Sequence, residues 1–100
     1  MVHTITSENF EELVEKSDKT VMLDFWAGWC GPCRMMAPVV QALSEEREDV
    51  FFGKVNVDEE EALARKFNIL SIPTFLVFKG GEVVSRIAGA RQRSALEELL

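Results

Sequence analysis

The chain has 100 residues, 47% of them hydrophobic, and its 17 acidic against 11 Lys or Arg side chains give a formal net charge of −6. This length predicts one domain over residues 1–100, with enough apolar side chains to build a core without disulfide support. The acidic balance argues against nucleic acid and anionic membrane surfaces as partners, and no apolar run approaches the ~20 residues of a membrane-spanning helix.

Turn residues and apolar periodicity divide the first half of the chain into four elements. In order, we predict a strand at residues 2–5, a helix at 6–16, a strand at 20–26 and a helix at 33–47. The strand at 20–26 is apolar on both alternating faces except at one acid, which is typical of a central buried strand. Pro38 lies inside the second helix and is expected to kink it.

The second half repeats the alternation and then ends differently. We predict a strand at residues 51–57, a helix opened by acidic side chains at 58–68, strands at 74–79 and 82–88, and a last helix begun by a capping box at Ser94. The Gly-Gly pair between the last two strands is a hairpin signal. The element order β-α-β-α-β-α-β-β-α predicts an α/β protein whose sheet is covered by helices on both faces.

The stretch Trp29-Cys30-Gly31-Pro32-Cys33 holds both cysteines of the chain. A disulfide between them would close a loop of only four residues, which removes little entropy from the unfolded chain, on the order of 2 kcal/mol. A Cys-x-x-Cys pair after a strand and before a helix is instead typical of a redox motif, because thiol–disulfide exchange proceeds by attack of a thiolate on a sulfur.

Two other interpretations of the cysteines stay open but are less favoured. A structural zinc site needs four ligands, and besides the two cysteines the chain offers only one histidine, His3, which is distant in sequence. A purely structural disulfide is disfavoured because the ring is so small.

Five segments of the sequence resemble the thioredoxin family. They are the Phe-Trp-Ala-x-Trp-Cys-Gly-Pro-Cys stretch at residues 25–33, Val-Asn-Val-Asp at 55–58, Ile-Pro-Thr at 72–74, Phe-x-Gly-Gly at 78–81 and Gly-Ala at 89–90. The resemblance implies the thioredoxin fold, a central five-stranded mixed β-sheet flanked by four helices. It also implies a protein-disulfide reductase active in electron transport and cell redox homeostasis.

The motif residues predict how the two thiols divide the chemistry. Cys30 is the expected nucleophile, because it lies just ahead of a helix whose free N–H groups and dipole favour a thiolate, with Arg34 adding positive charge nearby. Cys33, one turn into the helix, is expected to be more shielded and to serve as the resolving thiol. Gly31 permits a tight approach, and Pro32 stiffens the loop and withholds a backbone donor from the sulfurs.

Asp24 interrupts the otherwise apolar strand at residues 20–26. Burial disfavours the charged form of a carboxyl group, so we expect a raised pKa for Asp24. A neutral acid below the cysteine loop could exchange a proton with Cys33, and in thioredoxins the matching acid is assigned that role. Lys54 is expected to lie beside Asp24 and moderate its charge. The alternatives are an acid satisfied by backbone groups and a solvated edge lysine.

Pro73 follows Ile72 just before a strand, and the resemblance implies that their peptide bond is cis. The Ile72 backbone would then be free to pair with an extended substrate by strand addition. The predicted client-binding patch consists of Trp29, Ile72, Pro73, Gly89 and Ala90. Trp26 is expected to pack beneath this site, and the alternative is a scatter of unrelated surface apolar side chains.

The resemblance also predicts the partners, a thioredoxin reductase and disulfide-containing client proteins. We expect a monomer with no metal and no cofactor beyond the redox-active Cys30–Cys33 disulfide. The first residues carry no basic and apolar signal segment, so a cytoplasmic location is expected. The alternatives are an oxidant or isomerase, against which the Gly-Pro pair argues by resemblance, and a binding module that uses the apolar patch without redox chemistry.

Overall fold

A computed structural model describes the whole chain, residues 1–100. The five strands are β1 (Val2–Thr4), β2 (Thr20–Trp26), β3 (Val50–Asn56), β4 (Thr74–Lys79) and β5 (Glu82–Ala88). The four helices are α1 (Glu11–Glu15), α2 (Gly31–Glu46), α3 (Glu61–Lys66) and α4 (Arg93–Leu99). None of these helices has the length and apolar character that crossing a membrane requires.

The strands form one mixed sheet in the order β1-β3-β2-β4-β5. β3 pairs in parallel with both β1 and β2, whereas β4 pairs antiparallel with β2 and β5. β2 therefore lies at the centre, which explains its run of five consecutive buried residues. The predicted architecture, a five-stranded mixed sheet flanked by four helices, is confirmed.

Each face of the sheet carries its own apolar core, because successive side chains of a strand point to opposite faces. One core combines Val21, Leu23 and Phe25 of β2 with side chains of the α1 and α3 segments. The other combines Met22 of β2 with α2 and α4 side chains. Asp24 follows Met22 by two residues, so this alternation directs it toward the α2 face of the sheet.

Helix α1 is shorter than the predicted helix at residues 6–16 and is wound as a π-helix, with the Lys16 N–H donating to the Glu11 carbonyl at 2.9 Å. The predicted first turn is a hydrogen-bonded turn, in which the Phe10 N–H donates to the Thr6 carbonyl at 3.0 Å. Asn9 Oδ1 accepts the Thr6 N–H at 2.8 Å, and Thr6 Oγ1 accepts the Glu8 N–H at 3.2 Å. This reciprocal pair of bonds is similar to that of a capping box, so Thr6 caps the segment as predicted.

Helices α3 and α4 also begin differently from prediction. Asn56 Oδ1 accepts the Asp58 N–H at 2.9 Å, which holds the acidic segment in a turn and delays α3 to Glu61. The predicted capping box at Ser94 is wrong. Gln92 is the residue that precedes α4, it makes no side-chain cap hydrogen bond, and Ser94 lies inside the helix.

Gly53 in β3 lies where the core leaves no room for a side chain. A Cβ atom there would lie 2.6 Å from Ile5 Cγ1 and 2.8 Å from Leu23 Cδ2, both fully buried. We expect Gly53→Ala to destabilise the fold by about 1–3 kcal/mol, as overpacking of a full core does. Gly28→Ala is the matched control, because no atom lies within 4 Å of its Cβ position. Urea unfolding measures both, and equal stabilities of the two variants would contradict this account of the core.

Candidate active site

The two cysteines form a disulfide at the start of α2, with their Cα atoms 5.2 Å apart. Cys30 is the N-cap residue of the helix, and its sulfur accepts the Cys33 N–H at 3.2 Å. This is the usual N-cap bond to the third helical residue, made here by sulfur in place of oxygen. Pro32 occupies the second helical position and offers no N–H, so the backbone presents one donor to the Cys30 sulfur.

The two cysteine side chains are buried alike, with 4% of Cys30 and 3% of Cys33 exposed. The predicted difference in shielding is therefore absent in the disulfide form. Their neighbours differ instead. Cys30 Sγ lies 3.8 Å from the carbonyl oxygen of Ile72 in the loop before β4, whereas Cys33 lines a cavity that also contains Asp24.

Arg34 closes the loop that carries the motif. Its Nη1 donates to the Gly28 carbonyl at 2.8 Å, which joins the first turn of α2 to the segment before Cys30. Arg34 is also one of the residues that line the cavity beneath Cys33. Gly31 is half-buried, and a side chain there would meet no atom within 4 Å.

Asp24 lies below α2, with only 5% of its surface exposed. A cavity of about 130 Å³ joins it to the active-site helix, and the lining residues are Asp24, Trp26, Cys33, Arg34, Ala37 and Lys54. A second cavity, of about 100 Å³, lies against the same Asp24, Ala37 and Lys54. Asp24 Oδ1 is buried without a hydrogen-bond partner, so no bond compensates for the loss of water around that oxygen.

Burial raises the pKa of Asp24 from 3.8 to about 7, because the charged carboxylate is poorly solvated there, and the positive charge of Lys54 partly offsets this rise. A pKa near 7 lets the group take or give a proton at neutral pH. The sequence predicted a raised pKa for Asp24, and the structure gives a shift in that direction.

Lys54 is the cross-strand neighbour of Asp24 in the parallel β2–β3 register. The two side chains do not form an ion pair, since Lys54 Nζ lies over the Trp26 ring, 5.6 Å from its centroid. Trp26 is half-buried and lines the same cavity. Trp26 therefore packs beneath the cysteine loop, as expected from the sequence, and Lys54 acts on Asp24 through its charge alone.

The residues of the predicted client-binding patch lie around Cys30 but are not equally exposed. Trp29 has 69% of its surface exposed, Ala90 is exposed, and Ile72 and Gly89 are half-buried. Pro73 is buried, so its place on an exposed patch is corrected. The Ile72–Pro73 peptide bond is cis as predicted. The Pro73 carbonyl accepts the Gly89 N–H at 2.7 Å, which joins the two loops of the patch.

Two residues of this surface were not singled out by the sequence. Asp58 Oδ2 accepts the Trp29 Nε1–H at 2.9 Å and fixes the orientation of the indole ring. Leu70 is 95% exposed and borders a groove of about 340 Å³ beside Cys30, whose lining residues are Trp29, Val57, Ile69, Leu70, Ser71 and Ile72. Asp58 ends the Val-Asn-Val-Asp segment that carries the family resemblance, but the acidic run that it begins is typical of a solvated helix start, so the sequence predicted no role for its side chain.

A cysteine pair that closes a disulfide at a helix N-terminus, beside an apolar groove and above a buried acid with a pKa near 7, defines a thiol–disulfide oxidoreductase. The family model for thioredoxin matches residues 1–100 of the chain. The chain belongs to the thioredoxin family, and it is a protein-disulfide reductase that works by dithiol–disulfide exchange through Cys30 and Cys33.

Individual relatives agree with the family model. The chain is 45% identical to a thioredoxin of Streptomyces clavuligerus over 96 residues, which are 96% of this chain and 90% of that protein. It is 46% identical to a thioredoxin of Alicyclobacillus acidocaldarius over 98 residues, covering 97% and 92% of the two chains. It is also 45% identical to part of a bifunctional thioredoxin reductase/thioredoxin of Mycobacterium leprae, over 92% of this chain and 20% of that protein.

Replacing Pro32 by Ala is expected to raise the reduction potential of the pair by about 30–60 mV. The variant gains an N–H at the second helical position, and one charge-assisted hydrogen bond to the Cys30 thiolate stabilises the dithiol form by about 1.5–3 kcal/mol. Pro38→Ala is the matched control, because Pro38 lies in the same helix, two turns further from the sulfurs. Titration in glutathione buffers measures both, and an unchanged or lower potential for Pro32→Ala contradicts this assignment.

Proposed function

We propose that client reduction by this chain begins at Cys30 and is completed by Cys33 with Asp24 as proton acceptor. The observation that carries this assignment is the difference between the neighbours of the two sulfurs. Cys30 lies against the Ile72 carbonyl at the edge of the client groove, and Cys33 shares a cavity with a buried acid. This difference supports Cys30 as the sulfur that meets an incoming disulfide and Cys33 as the thiol that passes a proton to Asp24.

In the first step the Cys30 thiolate attacks one sulfur of the client disulfide. The client S–S bond breaks, a mixed disulfide between Cys30 and the client forms, and the released client thiolate takes a proton. The helix N-terminus and the Cys33 N–H stabilise the attacking thiolate. Trp29, held by Asp58, and the Ile72 backbone align the client segment by strand addition, with Pro73, Gly89 and Ala90 supporting these loops.

In the second step Asp24 accepts the proton of the Cys33 thiol, and the Cys33 thiolate attacks the Cys30 sulfur. The mixed disulfide breaks, the Cys30–Cys33 disulfide forms, and the leaving client thiolate takes a proton from solvent while Asp24 releases its own. The client has then gained two electrons and two protons. Lys54 stabilises the Asp24 carboxylate once the proton has left the acid. Trp26 lines the cavity beneath Cys33, and Gly31 begins the helical turn between the two cysteines.

The oxidised pair then needs a reductant, and we propose that a thioredoxin reductase supplies the two electrons. The bifunctional thioredoxin reductase/thioredoxin of Mycobacterium leprae supports the choice of this partner, because one polypeptide there combines a reductase with a relative of this chain. The clients are proteins with accessible disulfides. The apolar groove beside Cys30 would bind an extended segment of such a client. No nucleic-acid or membrane partner is proposed for a chain of net charge −6.

The proposal includes the cellular setting and the form of the protein. The chain acts as a single domain over residues 1–100, as a monomer in the cytoplasm, where a dithiol is kept reduced. It uses no metal or organic cofactor, because the Cys30–Cys33 pair itself carries the two electrons.

A coupled assay tests this proposal. With NADPH, a bacterial thioredoxin reductase and insulin as the client, the chain is expected to sustain NADPH oxidation, and alkylation followed by mass spectrometry is expected to show two thiols appearing together. A variant with both cysteines replaced by Ser is expected to be inactive and to lose client capture. If that double variant still bound clients as well as the parent chain, the site would be a binding module instead of a redox centre.

A further inference from the structure

The loop between α3 and β4 presents Ile72 to Cys30. Its apolar side chains Ile69 and Ile72 pack against the core, but few hydrogen bonds hold its backbone. At its start the Ile69 N–H donates to the Ala64 carbonyl at 2.9 Å, and at its end Thr74 Oγ1 donates to the Ser71 carbonyl at 2.6 Å. Leu70, between these two points, is almost fully exposed and anchors nothing. The Pro73 carbonyl, which accepts the Gly89 N–H at 2.7 Å, fixes the end of the loop. The position of the Ile72 backbone therefore depends also on what fixes the start of the loop.

Arg86 makes the long-range side-chain hydrogen bonds to that start, beside the packing of the Phe67 ring against Phe10, Phe25 and Phe78. It lies on β5 opposite Leu76 of β4, and its guanidinium donates from Nη1 to the Phe67 carbonyl at 3.1 Å and from Nη2 to the Asn68 carbonyl at 3.3 Å. The last carbonyls of a helix have no partner within the helix. A planar guanidinium can bond two neighbouring acceptors at once, which a lysine ammonium cannot do in the same geometry.

The backbone at this point turns out of the helix. Asn68 has a φ of 53°, a left-handed conformation that ends α3 and redirects the chain toward Ile69. Arg86 forms no ion pair with any carboxylate, so its charge is directed at these two carbonyls. It holds the redirected backbone against the sheet, four residues before Ile72.

We propose that Arg86 is a positioning residue for client binding, which fixes the loop so that the Ile72 backbone lies ready beside Cys30. The inference rests on the proposed function, in which Ile72 pairs with an extended client. Arg86 touches neither the client nor the sulfurs. Its loss lets the loop sample other positions, and each client must then order the loop as it binds. The chemistry at Cys30 is unaffected.

The test compares Arg86→Met, which keeps the apolar stem and loses the donors, with Arg65→Met. Arg65 is the matched control, because it is exposed on α3, has no side-chain partner and removes the same charge. With insulin as client, we expect Arg86→Met to raise KM about five-fold, the ratio that the loss of one net hydrogen bond produces. Its kcat is expected to stay unchanged, and Arg65→Met is expected to match the parent chain.

Three further readouts separate positioning from a general structural role. Reduction of a small aromatic disulfide, 5,5′-dithiobis(2-nitrobenzoic acid), needs the dithiol but no strand pairing, so its rate is expected to be equal in Arg86→Met and the parent chain. The Ile69 amide is expected to exchange its hydrogen faster in the variant. Arg86→Lys is expected to restore part of the insulin KM, because an ammonium bonds one of the two carbonyls.

An unchanged insulin KM in Arg86→Met, an equal change in Arg65→Met, or an equal slowing toward insulin and the small disulfide would each overturn the inference while leaving the proposed function intact. A parent chain that failed to reduce insulin at all would contradict the proposed function, and the inference with it.

Discussion

Replacing Asp24 by Asn is expected to stabilise the fold by about 3 kcal/mol at pH 8 and to change it little at pH 4. Each unit by which a pKa rises corresponds to about 1.4 kcal/mol, so a carboxyl raised from 3.8 to about 7 destabilises the folded state by about 4 kcal/mol once it is charged. Burying the unpaired amide of the variant costs about 1 kcal/mol, so the expected net stabilisation is about 3 kcal/mol.

The sign of the pH dependence follows from the raised pKa in the folded state. Below pH 4 the acid is protonated in both states, so it contributes no pH-dependent penalty. Between pH 4 and pH 7 the unfolded chain gives up the proton more readily than the folded chain, and stability falls as pH rises. Above about pH 7 both states are charged and the penalty is constant, so the gain in Asp24→Asn should follow this curve.

Urea unfolding at several pH values measures this effect. Glu12→Gln is the control, because Glu12 is an exposed acid without an ion-pair or hydrogen-bond partner, and it should change stability little at any pH. The same Asp24→Asn variant should slow insulin reduction at pH 8 on the order of 10²-fold, the lower end for loss of a general base. A stability difference that did not vary with pH, together with full activity, would show that Asp24 is an ordinary structural acid.

Replacing Cys33 by Ser is expected to stop turnover and leave the chain covalently joined to its client. Without the resolving thiol the mixed disulfide at Cys30 has no internal route to break, so it should persist on non-reducing gels. Cys30→Ser should form no such adduct, because the remaining Cys33 lies in the cavity beneath the helix. Equal burial of the two cysteines makes this experiment decisive, and equal trapping by both variants would reject the assigned roles.

The sequence predicted three of the five strands to the residue, because their signals are local. The bounds of β2, β4 and β5 match the predicted ranges, since each strand combines an apolar run with clear turn residues. The Gly-Gly hairpin is confirmed too, with φ values of 61° and 81° that favour glycine. The starts of the helices were less predictable, because side-chain bonds to backbone N–H groups compete with the helix, as the Asn56 bond to the Asp58 N–H does ahead of α3. Glu60, directly before α3, is also bonded by the N–H and the hydroxyl of Ser7, 53 residues away.

The residues of the candidate site also differ in how far local sequence patterns predict their roles. Asp24 could be found because one acid in an apolar strand breaks a local pattern. The sequence could not predict the roles of Arg86, Asp58 and Gly53, because each role depends on a contact made by the fold. These contacts are the Phe67 carbonyl for Arg86, the Trp29 ring for Asp58 and the packed Ile5 and Leu23 side chains for Gly53. The equal burial of Cys30 and Cys33 likewise depends on Trp26, Val57 and Ile72 packing around the pair.

Reduction of insulin disulfides by dithiothreitol, with and without the chain, tests the central claim most directly. The parent chain is expected to accelerate precipitation of the insulin B chain strongly at micromolar concentration, while Cys30→Ser is expected to leave the rate at that of dithiothreitol alone. A parent chain that gave no acceleration, or a Cys30→Ser variant as fast as the parent, would contradict the claim that this site reduces protein disulfides through Cys30.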